Sequence, residues 1–130
     1  MMCDARLWKP QIEALDIHCL VGDLTSHDSL RDMAASVLDA APASFAVAGL
    51  SMGGILAFEL WRQAPERITH LALLDTNPHA DTPDKRTMRL DQVEQVLSGQ
   101  LRKLATESLK PAYLAKANRD NPVSYTHLTL

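Results

Sequence analysis

Residues 45–61, FAVAGLSMGGILAFELW, constrain the fold more than any other stretch of the chain. The six residues before Ser51 are short, apolar and suited to a buried strand. After Ser51 come Met52 and two glycines, then apolar residues at helical spacing that run until Pro65 stops them. The chain must therefore turn from strand to helix within about one residue, and a serine stands at the turn. Such a serine is either a nucleophile held up for attack or an ordinary turn residue in a glycine-rich corner.

The neighbouring segments extend the pattern on both sides. Leu7, Trp8, Ile12 and Leu15 can share one helical face, with Pro10 tolerated in a first turn. Residues 16–24, DIHCLVGDL, form an apolar run closed by Gly22 and Asp23 and predict a buried strand. The polar turn TSHD then supplies caps for a helix carrying Leu30, Met33, Ala34, Val37 and Leu38, ended by Pro42. Residues 44–50 predict the second strand, 52–64 the next helix, and 67–78 a third strand. Strand, helix, strand, helix, strand argues for an α/β fold with three parallel strands joined by crossover helices. Beyond residue 80 the chain turns helical and more polar. Leu90, Val93, Val96, Leu97, Leu101 and Leu104 recur at three and four, and Gly99 is expected to break this run in two.

Composition excludes several classes. The 130 residues are 46% hydrophobic, enough for one domain with a core. The net charge of −3 comes with 13 scattered basic residues, which argues against nucleic acid or a membrane surface as partner. No run approaches a membrane span and no signal-peptide pattern opens the chain, so a cytoplasmic setting is expected. Cys3 and Cys19 make no disulfide framework, and Cys19, in an apolar run, is expected to be a buried free thiol.

The corner matches Gly-x-Ser-x-Gly over residues 49–53, a weak pattern alone but a stronger one where a strand enters and a helix leaves. A serine in a strained corner lifts its hydroxyl clear of the backbone, and the neighbouring residues must be small. Gly49, Gly53 and Gly54 are expected to provide that room. The helix starting at Met52 aims N–H groups and its positive dipole end at the place where an oxyanion would form. A phosphate-binding corner is the competing reading, but Gly-x-Gly-x-x-Gly is absent and no Lys-Ser/Thr follows the glycines.

Residues 50–78 resemble the α/β-hydrolase family: a nucleophile elbow, a long following helix and then an LLDT strand. Residues 2–15 resemble the family's segment after the oxyanion loop. The resemblance implies Ser51 as nucleophile, the N–H of Met52 as one oxyanion donor, and a second donor at or just before Met1. The implied reaction is acyl transfer from a small ester, lactone or thioester to water, without metal or other cofactor. It also implies a partial hydrolase core over residues 1–80 and the start of a helical cap over 81–122. Residues 123–130 are expected to be a non-native tail, since one back-translation of PVSYTHLTL resembles a sequencing-library adapter.

The family's third strand sits between the strands corresponding to residues 16–24 and 44–50, and it is not found in this chain. Those two runs are therefore expected either to pair directly or to leave a gap with unpaired backbone. The triad acid and histidine are not identified. Asp75 and His79 follow Ser51 in the family's order, but at the end of one strand they are awkwardly placed to serve it together. His18 and His70 are expected in the core or on a sheet face and His27 in a solvated turn, while His127 belongs to the suspect tail. The expected protein is thus a fragment of a serine hydrolase with negligible turnover of its own. The alternative is a non-catalytic α/β-hydrolase-like binding module or an inert product.

Overall fold

The computed structural model describes residues 5–113 and 116–118. The chain divides into two compact units, Ile12–His79 on one side and Met1–Gln11 with Ala80–Leu130 on the other.

Ile12–His79 contains the strand-to-helix corner. Its first long helix, α2 (Leu30–Ala40), follows the shorter α1 (Lys9–Leu15). Ser29 caps α2: its Oγ accepts the Asp32 N–H at 3.1 Å and donates to the Asp32 carboxylate at 2.7 Å. This satisfies one of the donors that a helix start leaves open. Strand β1 (Phe45–Leu50) leads into α3 (Met52–Gln63), and β2 (Ile68–Leu74) returns parallel to β1. Leu50 lies opposite Leu74, so the two strands end together at the corner.

The core lies between α2 and α3. Met33, Ala34 and Leu38 of α2 meet Leu56 and Leu60 of α3, with Ala64 and Ile68 completing the cluster. Phe45 and Val47, alternate residues of β1, pack against it, as period-two alternation requires. At the far end of the strands, Arg67 draws the elements together. Its guanidinium donates to the carbonyls of Leu38 and Ala41 at 2.9 Å and of Pro42 at 2.8 Å. It also lies 5.6 Å from the centre of the Phe45 ring. One open carbonyl of the last turn of α2, that of Leu38, and the two carbonyls just past the helix are thereby met by a cation, which the negative end of the helix dipole favours.

Three strands were expected and two are found among the described residues. Residues 16–24 form no strand, although their composition suits one. A strand exists only with a neighbour to take its N–H and C=O groups. Both outcomes expected for this region presupposed a strand there, and neither is seen: the run stays outside the ladder, and among the described residues β1 pairs with β2 alone. Leu24 packs on the core, and the position of a Cβ on Gly22 would fall 3.1 Å from Val37. Ile17, Leu20 and Val21 are exposed. Cys19 is exposed as well, and the expectation of a buried thiol fails with the strand that was to bury it. His18 is exposed for the same reason, while His70 lies on an exposed face of β2. Beyond Ile68, every residue of β2 is exposed, an unusual condition for a parallel strand.

In the other unit, Thr82 caps α4 (Pro83–Leu97) with Pro83 in the first turn, a favourable place for proline. Gly99, at φ 83°, breaks the run before α5 (Leu101–Leu104), as expected. A π-helical turn (Ala105–Leu109) and α6 (Lys110–Tyr113) follow. The apolar stripe of α4 is exposed at Leu90, Val93, Val96 and Leu97, whereas Leu104 is buried.

Two predictions follow from the contacts within Ile12–His79. Arg67→Met removes three hydrogen bonds to the end of α2 and is expected to lower stability by about 2 kcal/mol, read from the midpoint of urea unfolding. The second concerns acid. Hydrogen bonds from Arg62 and then Gln63 hold the Glu59 carboxyl down from its ordinary 4.5 to about 2. Bonds from Ser26 and then Thr25 bring Asp23 from 3.8 to about 2. Carboxyls depressed by folding contribute stability that is full above their unfolded values and lost as pH falls through the folded ones. Stability is therefore expected to fall from about pH 4.5 towards pH 2, and Glu59→Gln to flatten that fall in denaturation curves taken at stepped pH.

Candidate active site

The corner is built from backbone geometry before any side chain is considered. Ser51 has φ 52° and ψ −113°, a combination that costs a non-glycine residue about 1–3 kcal/mol. The surrounding bonds hold it there. Its N–H donates to the Leu74 carbonyl at 2.9 Å, continuing the β1–β2 contact one residue past the strand. Its carbonyl accepts the N–H groups of Gly54 and Ile55 at 3.0 and 3.2 Å, opening α3. The Thr76 hydroxyl donates to the same carbonyl at 2.7 Å.

Two of the three glycines are required by close approach. A Cβ on Gly49 would lie 2.3 Å from the Gly53 carbonyl oxygen, and one on Gly54 would lie 2.6 Å from Thr76. At Gly49 strand and helix thus meet backbone to backbone, and at Gly54 the helix backbone meets the Thr76 side chain; neither leaves room for a side chain. Gly53 differs from the expectation: a Cβ there meets nothing within 4 Å. Its place in the pattern is not explained by packing inside the corner.

The Ser51 side chain is exposed and makes no capping bond to α3, although it occupies the cap position. Among the described residues, none forms a hydrogen bond with its hydroxyl. The first N–H groups of α3, on Met52 and Gly53, have no acceptor within the helix. The corner can therefore present an uncommitted hydroxyl beside open backbone donors, which is the arrangement an acyl-transfer nucleophile uses.

The other candidates do not gather here. Asp75 follows β2 with φ 43°, and the His79 N–H bonds the Asn77 side chain at 3.0 Å. No hydrogen bond joins either residue to Ser51 among the described residues. His27 lines an open depression on α2 with Asp32, Ala35, Ser36 and Asp39, and no residue of the Ser51 corner borders it. No group of three or more metal-ligating side chains occurs among the described residues. Met1, Cys3, His127 and residues 123–130 lie outside them. Thr76 is the contact that sequence reasoning missed. It stands next to Asp75 in an LLDT run, and no periodicity marks its hydroxyl as reaching back to Ser51.

Comparison with known proteins adds an esterase likeness. No family model matches the chain, and no solved structure matches it. Over 51 residues the chain is 41% identical to a pimeloyl-[acyl-carrier protein] methyl ester esterase of Nitrosomonas europaea. That match covers 39% of this chain and spans only 20% of the relative's length. No helix among the described residues is long and apolar enough to cross a membrane.

The glycine geometry is directly testable. Gly49→Ala and Gly54→Ala are each expected to cost about 2 kcal/mol or more through overlap at the corner. Gly53→Ala is expected to be neutral or to add up to about 1 kcal/mol through helix propensity. Urea midpoints of the three variants measure the contrast.

Proposed function

We propose that Ser51 is the nucleophile of an α/β-hydrolase that cleaves carboxylic esters, or closely related lactones or thioesters. The observation that carries this reading is the strained Ser51 backbone at a strand-to-helix corner, with its hydroxyl exposed and uncommitted. The partial likeness to a methyl ester esterase supports an ester rather than another acyl compound. In this reading Ser51 Oγ attacks the carbonyl carbon and gives up its proton to a base. The N–H of Met52 steadies the oxygen that gains charge, with a second donor proposed at Met1. The leaving alcohol departs, and water releases the acyl group from the serine. The triad acid and base are proposed to lie outside the described residues, within a longer hydrolase acting on small acyl substrates in the cytoplasm.

The second reading, a non-catalytic module of hydrolase-like shape, is favoured by one observation: no described residue is bonded to the Ser51 hydroxyl to serve as base. Without a base the reaction is slowed by about 10²–10⁴-fold, so ordinary ester turnover by this chain is expected to be negligible. The separating experiment supplies the base externally. The chain is incubated with a fluorophosphonate, with and without imidazole, and the modified residue is located by mass spectrometry. Labelling at Ser51 that imidazole accelerates, and that Ser51→Ala abolishes, is the expected outcome. Equal labelling of the Ser51→Ala chain, or none at Ser51 under either condition, supports the non-catalytic module instead.

A further inference from the structure

Thr76 has no part in the reaction described above, yet it meets the corner at two points. Its hydroxyl donates to the Ser51 carbonyl at 2.7 Å, and its side chain fills the space that a Cβ on Gly54 would need. Asp75, at φ 43°, turns the chain as β2 ends. Leu74 and Thr76, on either side of that turn, both bond Ser51: Leu74 takes its N–H and Thr76 its carbonyl.

The consequence is geometric. The N–H of Ser51 belongs to the peptide plane before its Cα, and the carbonyl belongs to the plane after it. Fixing both planes fixes φ and ψ together, and so fixes the direction in which the side chain leaves the backbone. Gly54 and Ile55 also bond the carbonyl, but they belong to the helix that the corner begins and would move with it. Leu74, the last residue of β2, and Thr76, just past the turn that follows it, anchor Ser51 from outside its own helix, so that a strained conformation can be held against relaxation.

We propose that Thr76 is a positioning residue whose hydroxyl holds Ser51 in the conformation that presents its side chain for attack. Its meaning for the reaction rests on Ser51 being the nucleophile. The conformational part can be measured without that assumption. Thr76→Val keeps the shape and removes the donor, whereas Thr76→Ser keeps the donor and removes a methyl group.

The test reads three quantities in the intact chain and both variants: exchange of the Ser51 amide, the carbonyl carbon shift of Ser51 by NMR, and the rate of fluorophosphonate labelling with imidazole. In Thr76→Val the carbonyl shift is expected to move and the Ser51 amide to exchange about tenfold faster, as loss of one ordinary hydrogen bond allows. Labelling is expected to slow by about the same factor, while the amides within β1 and β2 stay unchanged. Thr76→Ser is expected to restore all three. A general role in stability would instead speed exchange across both strands together, and that result overturns the proposal. So does a valine variant whose Ser51 amide and carbonyl match the unaltered chain.

Should circular dichroism show the valine variant unfolded, the serine variant decides. Unchanged Ser51 signals there support the hydroxyl as the holder, and altered ones assign the role to the methyl contact with Gly54 and overturn the proposal. Failure of the nucleophile reading has a separate signature: no labelling in the unaltered chain, with the NMR effect of Thr76→Val still present.

Discussion

The backbone of Ser51 is the point on which this structure turns. Its N–H closes the β1–β2 contact, and its carbonyl starts α3, so one residue belongs to both the sheet and the helix. At that junction Ser51 takes a positive φ, and Gly49, two residues earlier, lies against the Gly53 backbone with no room for a side chain. The strain is distributed over bonds from the end of β2, from Thr76 just past it, and from the helix. No single one of them would hold a serine at φ 52° and ψ −113° against the ordinary preferences of its backbone.

The opposite end of the strands is held by different means. There a long cationic side chain, Arg67, reaches three carbonyls at the end of α2 and the ring of Phe45. Between these two anchors lies a small core formed mostly by α2 and α3, with β1 contributing alternate residues. The sheet itself is thin. Two parallel strands offer few shared hydrogen bonds, and β2 leaves Leu71, Leu73 and Leu74 exposed. The molecule thus combines a rigid, overdetermined corner with apolar surface that nothing among the described residues covers.

This contrast bears on the functional reading. A corner that stores strain at an exposed, uncommitted serine is what nucleophilic catalysis needs, and the partial esterase likeness agrees with it. The base is a separate requirement, because it must come within hydrogen-bond reach of the hydroxyl. Holding the Ser51 backbone and supplying a base to its hydroxyl are distinct tasks, and the described residues perform the first.

The local elements were legible in the sequence. The FAVAGL strand, the helix from Met52, the break at Gly99 and the caps before Leu30 all follow from apolar spacing and from turn residues, which act over a few positions. Gly49 and Gly54 were legible as a close approach for the same reason. What only the tertiary structure decided was every feature that needs a distant partner. Residues 16–24 read as a strand but form none, because a ladder requires a neighbouring backbone that side-chain pattern cannot supply. Cys19 and His18 are exposed in consequence. Gly53 matched the motif yet has open space beside it, and Thr76, which matched nothing, reaches the Ser51 carbonyl. Sequence periodicity reports which face of an element is apolar; it does not report which element will come to lie against it.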